Sequence, residues 1–252
     1  MLKIKAMFPN KAKSDQSRGL VADLNNMMKK EKEIYVLHAG IQRSGTNFLR
    51  TALKINFSVC LVNEAQNHPR DSILHKHFRL QDDKCSICMD SKYLNSITFG
   101  SFAEYKNALK FLNLKAIVIY KDPVNWLESI RRWGYTCKWI SSEEDFHSVW
   151  RNWLNEYSEY YLKWTQFYED PNVLLIQYED FVFNYGLYLN KLEAFLGQKY
   201  LSNVFPAKVA HSSLRSYAQV IKGIRTSCFA PELIEKIYLA SKFNPQIRLY
   251  KN

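Results

Sequence analysis

Acidic residues are in short supply in this chain: 24 Asp and Glu face 35 Lys and Arg among 252 residues, a formal net charge of +11. That balance attracts anions, whether a nucleotide, an acidic glycan, nucleic acid or a membrane surface, and does not choose among them. Cysteine is sparse as well. Five scattered thiols, an odd number in a chain long enough not to need staples, speak against a disulfide framework and suit a reducing compartment. No apolar run approaches the length of a membrane span, and Met1 to Pro9 lack the apolar core of a signal peptide. A soluble, cytoplasmic protein is expected. Internal repeats and low-complexity tracts are also missing, so neither a solenoid nor a biased linker is in view. What is present, 47% hydrophobic residues, suffices for a full core. The expected organisation is a basic arm over residues 1–33 followed by one α/β domain over 34–252.

The most informative stretch begins with the apolar run Ile34-Tyr35-Val36-Leu37, continues through His38-Ala39-Gly40-Ile41-Gln42-Arg43-Ser44-Gly45-Thr46-Asn47, and ends in Phe48-Leu49-Arg50-Thr51-Ala52-Leu53. A bounded, partly β-branched run reads as a buried strand, and Phe48, Leu49, Ala52 and Leu53 recur at helical spacing. The polar turn between them therefore opens a helix. Backbone N–H groups without helical partners gather there with the positive end of the helix dipole, a ready site for phosphate or sulfate. Gly40 and Gly45 let the backbone curl close to an anion. Arg43 adds a permanent charge with a planar fork of donors, and Ser44, Thr46 and Asn47 add short hydrogen-bonding groups. The Gly-Lys-Ser/Thr triplet of nucleoside-triphosphate P-loops is missing, which argues against magnesium-dependent phosphoryl transfer.

Further along, Ser58 to Val62 is a second apolar run, and Glu64 follows its end, where parallel sheets gather their ligands. Ser72 to Leu80 has the length of a short strand that would put His75 and His77 on one face. A helix is expected over 102–112. Lys115 to Tyr120 is the clearest buried strand, with Lys121 at its end. Asp122 and Pro123 then form a strong helix start. Trp126, Ile130 and Trp133 line one face of that helix, expected to end near Gly134. A helical aromatic pattern runs from Glu143 to about Tyr168, where core packing is the ordinary reading and a platform for a sugar or aromatic acceptor the alternative. Val173 to Tyr178 reads as another strand. A helix around Leu187 to Leu196 closes at Gly197, and a last helix starts at Pro231.

Arg43-Ser44-Gly45-Thr46 resembles the 5′-phosphosulfate-binding loop of sulfotransferases, whose usual form is Lys or Arg, Ser, Gly, then Thr or Ser. Lys121 and Ser129 are similar in placement and spacing to the strand-end Arg and helical Ser that hold the cofactor's 3′-phosphate in that family. Lysine departs from the pattern as a point charge without a bidentate fork. Tyr178-Glu179-Asp180 resembles the family's third strand motif, to which a structural role is given, and Ile221-Lys222-Gly223-Ile224-Arg225 partially resembles its C-terminal basic loop. The resemblance implies a three-layer, P-loop-like α/β fold with a central parallel sheet flanked by helices. It implies sulfuryl transfer from 3′-phosphoadenosine 5′-phosphosulfate (PAPS) to a hydroxyl or amine of an unidentified acceptor, a carbohydrate being one candidate. Gly40, Arg43, Ser44, Gly45, Thr46, Asn47, Lys121, Ser129, Lys222 and Gly223 would bind the donor, with no metal. Arg43 would meet charge on the leaving oxygen. Some members place a glutamate base where Glu64 stands, others a histidine in a segment similar to the one holding His77; Glu64 is preferred.

Three alternatives accompany this reading. His75, His77, Cys85 and Cys88 could together ligate zinc, although their spacing fits no common finger. A P-loop kinase or nucleotidase would require magnesium and ATP. A non-catalytic nucleic-acid-binding protein would show steeply salt-dependent binding to generic duplex.

Overall fold

The computed structural model describes residues 34–62, 77, 114–167, 169–206 and 227–243. The expected arm over 1–33, the expected helix over 102–112, and Glu64, Lys222 and Gly223 lie outside the described residues.

Four strands are present among these residues, β1 (Ile34–Ala39), β2 (Val59–Leu61), β3 (Lys115–Tyr120) and β4 (Val173–Gln177). All pair in parallel, in the order β2-β1-β3-β4. Helix α1 (Thr46–Asn56) follows β1, and α2 (Pro123–Thr136) follows β3. Then come α3 (Glu143–Trp164, continued by a 3-10 turn at Thr165–Phe167), α4 (Tyr178–Phe183), α5 (Tyr185–Leu196) and α6 (Pro231–Ala240).

Strands that are apolar on both faces need cover on both faces, and the side-chain alternation divides the core accordingly. Tyr35, Leu37, Ala39, Ala116, Val118 and Tyr120 pack against α2, α3 and α6. Val36, Ile117, Ile119 and Ile176 pack against α1, α4 and α5. The result is the expected central parallel sheet between two helical layers. No helix among the described residues is long and apolar enough to cross a membrane.

Local chemistry sets the element ends. Asp122 caps α2, its Oδ1 accepting from the N–H groups of Val124 (2.9 Å) and Asn125 (3.3 Å), with Pro123 in the first turn. Its Oδ2 accepts from the Tyr238 hydroxyl at 3.0 Å, which fastens α6 to the same point. Ser142 and Asp145 form a capping box at the start of α3.

Two boundaries differ from the sequence reading. Helix α2 runs past Gly134 because that glycine is a close-approach residue and not a terminator: a Cβ there would lie 3.1 Å from Ile140 and 3.2 Å from Trp153. The helix expected around 187–196 starts earlier, at Tyr185, and a separate α4 precedes it, broken at Asn184 where φ is −118° and ψ 46°.

Two buried polar groups tie distant segments together. Asn56 at the end of α1 donates to the carbonyls of Ala52 (2.8 Å) and Val204 (3.1 Å), and it accepts from the Val204 N–H (2.9 Å) and the Ser202 hydroxyl (3.1 Å). The segment after α5 is thereby held to α1. Tyr161 of α3 works at the other strand ends, where its hydroxyl donates to the Ile119 carbonyl at 2.9 Å and accepts from the Ile41 N–H at 3.2 Å. Tyr161→Phe strands both backbone groups in the core and should destabilise the fold by about 1–3 kcal/mol. Urea unfolding that gives the substituted protein wild-type stability would contradict this.

Candidate active site

In the sheet order β2-β1-β3-β4, the chain leaves β1 toward one side while β3 and β4 lie on the other. The carboxyl ends of β1 and β3 thus flank a topological switch point, where open α/β sheets leave a crevice for ligands. Both sequence-derived anion elements open there, the Gly40–Asn47 turn after β1 and Lys121 after β3.

The turn is built around close contacts. A Cβ at Gly40 would stand 2.5 Å from both the Ile119 carbonyl oxygen and Ser44 Oγ. Gly45, the residue before α1, has φ +105°, and a Cβ there would meet the Tyr178 ring at 2.5 Å. Arg43 adopts a left-handed φ of 68°. Such a conformation costs a non-glycine residue about 1 kcal/mol or more, and it turns the arginine side chain out of the course of the chain. Ser44 is fully buried, and its Oγ has no hydrogen-bond partner among the described residues. Thr46 is buried and Asn47 partly so in the first turn of α1, at the positive end of its dipole.

Helix α2 forms the facing wall through residues one and two turns apart. Trp126 Nε1 donates to the Gln42 carbonyl at 2.8 Å. Ser129 Oγ accepts from Lys121 Nζ at 3.1 Å. Trp133 takes the Arg43 guanidinium over its ring, 5.0 Å from the centroid. Spaced at i, i+3 and i+7, these three share one helix face. The sequence reading placed Trp126 and Trp133 on a common face and missed that this face touches the turn; the offset from Ser129 was the available signal.

Lys121 is held at both ends. Its carbonyl accepts a hydrogen bond from the Tyr157 hydroxyl, and its ammonium lies 4.6 Å from the centroid of the Tyr178 ring. Burial pulls its pKa down to about 8; Glu179 acts the other way, and the charges of Arg43 and Arg132 add to the lowering. Glu179 is itself buried, which raises its pKa against the pull of Lys121. Its Oε2 accepts from the Asp122 N–H at 3.1 Å, while Oε1 has no hydrogen-bond partner among the described residues. The acidic pair after β4 therefore does more than complement a helix dipole: Glu179 braces the turn that carries Lys121. Arg132 is a further residue the sequence reading missed. Arg43 and Arg132 both lie close enough to Lys121 to disfavour its charge, an arrangement that an arriving anion relieves.

His77 lies in a turn and not in a strand, with Nδ1 2.8 Å from the Gly40 carbonyl. A carbonyl can only accept, so Nδ1 donates this bond. The structure thus brings Gly40, Arg43, Ser44, Gly45, Thr46, Asn47, Lys121, Ser129 and His77 to one crevice. Glu64, Lys222 and Gly223 are outside the described residues, as are His75, Cys85 and Cys88 of the zinc alternative. Among the described residues no group of three or more His, Cys, Asp or Glu is placed to hold a metal ion.

No curated protein sequence gives a significant match. Among solved structures, mouse sulfotransferase SULT7A1 complexed with PAP aligns with 95% of this chain and 92% of its own at 16% identity and a TM-score of 0.48. Retinol dehydratase in complex with androsterone and inactive cofactor PAP aligns with 91% of this chain and 88% of its own at 13% identity and a TM-score of 0.45. The family described as the sulfotransferase domain matches residues 34–220, most of the chain and the whole of the crevice just described, and the protein belongs to that family.

Proposed function

We propose that the protein transfers a sulfuryl group from PAPS to a hydroxyl or amine of a small-molecule or glycan acceptor, with the turn after β1 on the 5′-phosphosulfate and the Lys121–Ser129 pair on the 3′-phosphate. The observation that carries this reading is that pair, an ammonium and a hydroxyl 3.1 Å apart at the switch point, facing a glycine-lined turn with a cation of its own. The residues fit such a donor: Ser44 Oγ is a buried hydroxyl with no partner among the described residues, and Gly40 and Gly45 let the turn pack tightly against Ile119 and Tyr178 beside Lys121. Calorimetric titration with 3′-phosphoadenosine 5′-phosphate (PAP) tests it. Absence of binding, or equal affinity for adenosine 5′-phosphate, would refute the assignment of Lys121 and Ser129.

The chemistry asked of these residues is modest. The acceptor oxygen or nitrogen bonds to sulfur in line, the bond from sulfur to the bridging oxygen breaks, and PAP departs with the electron pair. Positioning and charge stabilisation supply most of the rate, as in phosphoryl transfer. Arg43 meets the charge that grows on the bridging oxygen, and the dipole of α1 acts in the same sense. The acceptor's proton needs a base. The bond from His77 to Gly40 supports His77 in that role, since it anchors the ring at the turn that would hold the sulfuryl donor. Glu64, the earlier preference, stays in the comparison by substitution.

Arg43→Ala should lower turnover by ~10²–10³-fold, whereas Lys121→Ala should chiefly weaken PAP binding, by roughly tenfold. Release of radiolabelled sulfate from PAPS and calorimetry separate the two effects. The reverse pattern would exchange the two roles.

Affinity should also depend on pH in a defined direction. With its pKa near 8 in the free protein, Lys121 loses its charge as the pH rises through that value. An approaching 3′-phosphate favours the charged form, so PAP binding is pH-insensitive on this account below pH 8, weakens above it and there takes up a proton. Lys121→Arg, charged throughout, should flatten the decline. A wild-type affinity that does not fall across pH 8 would disprove the coupling.

For the base, His77→Ala should cost ~10²-fold in turnover with PAP affinity retained. A full-rate His77→Ala enzyme beside a slow Glu64→Gln enzyme would move the role to the glutamate.

A further inference from the structure

Two residues of one helix bear on Arg43 and the turn around it. Trp126 is fully buried and fixes the carbonyl of Gln42, immediately before Arg43. Seven residues on, Trp133 is 37% exposed, a large apolar ring left in contact with solvent, and its face carries the Arg43 guanidinium at 5.0 Å. Between them stands Ser129, bonded to Lys121. Trp126 belongs to the buried core, whereas Trp133 stands among the exposed large hydrophobic residues. The arginine also needs a support of this kind. Its side chain is long and loses rotamer entropy when fixed, its backbone is in the left-handed region, and nearby Lys121 repels it. An aromatic face holds a guanidinium without consuming the N–H donors that must reach an anion, since the ring meets the plane of the cation and leaves its edge open.

We propose that Trp133 is a positioning residue for the transfer reaction, its indole face holding the Arg43 guanidinium extended at the mouth of the β1–α1 turn before and during departure of PAP. The inference rests on the reading of Arg43 as the cation for the leaving oxygen. It assigns to α2 two complementary duties, Ser129 toward the 3′ end of the donor through Lys121 and Trp133 toward the 5′ end through Arg43. Because the contact orders the cation and does not touch the nucleotide, it bears on turnover and not on nucleotide affinity.

The test uses the full chain, PAP for affinity, and release of radiolabelled sulfate from PAPS with water as the acceptor, so that no natural acceptor is needed. In that reaction the water oxygen bonds to sulfur, the bond to the bridging oxygen breaks, PAP leaves with the electrons, and the water proton is given up. Trp133→Leu keeps apolar bulk and removes the π face; it should slow release by about 3- to 30-fold with PAP affinity unchanged, and Trp133→Phe should retain most of the rate. Urea unfolding of the wild type, Trp133→Leu, Arg43→Ala and the double variant provides a readout independent of activity. The double variant should be less destabilised than the two single losses summed, with a coupling of about 2- to 5-fold in the unfolding constant. A wild-type rate in Trp133→Leu, a Trp133→Phe enzyme as slow as Trp133→Leu, or a strictly additive cycle would each overturn the proposal. A wild-type protein that binds no PAP would overturn the donor-site reading itself, a failure distinct from the other three.

Discussion

One phenol hydroxyl fixes the geometry of this crevice. Tyr161 donates to the last turnward carbonyl of β3, that of Ile119, and accepts from Ile41 in the turn after β1. Neighbouring parallel strands diverge where their ladder stops, and their terminal backbone groups need partners when buried. Here one side chain from α3 satisfies both strands at once and sets how far the turn stands from Lys121. Its neighbour Tyr157, one helical turn earlier, performs the same service for the Lys121 carbonyl. The aromatic stripe of α3 is therefore core packing, with the hydroxyls of Tyr157 and Tyr161 aimed at the ends of the strands.

On that frame the electrostatics are deliberately unbalanced. Arg43, Lys121 and Arg132 crowd together, while the nearest buried carboxylate, Glu179, gives one oxygen to the Asp122 backbone. Removing a lysine from water while placing cations beside it lowers its pKa, and a multiply charged anion would relieve both effects. A second carboxylate, Glu128, offsets part of this positive charge: its Oε1 accepts from the Cys228 N–H at 2.9 Å and stands 4.0 Å from Arg132, and its charge also favours the charged form of Lys121. Ligand binding at such a site draws on strain in the charge distribution as well as on new hydrogen bonds.

Much of this was legible in the sequence. The run from Ile34 through Leu53 has an apolar strand, two glycines and a helical repeat in unbroken succession, and the structure places strand, turn and α1 as that pattern requires. The run from Lys115 to Pro123 carries a β-branched strand, a capping aspartate and a first-turn proline, all local signals, and each is found where it was read. What escaped are relations between elements. That Trp133 faces Arg43 depends on the angle at which α2 leaves the sheet. That Glu179 braces Asp122 depends on the register of β3 with β4, where Tyr120 lies opposite Gln177. The stretch from Ser72 to Leu80 has the length of a strand, but the His77 ring is held by a backbone carbonyl 37 residues away in sequence, a contact no local periodicity encodes.

The left-handed backbone at Arg43 has a consequence for how this turn can change. Glycine alone occupies that region without penalty, so replacing the arginine by glycine would relax the turn and raise its conformational stability while deleting the cation. Selection on folding and selection on turnover therefore pull this position in opposite directions. An arginine that persists there under drift reports that the charge is in use, and a lineage that had abandoned the chemistry would be expected to lose it first at this residue, gaining a firmer fold in the process.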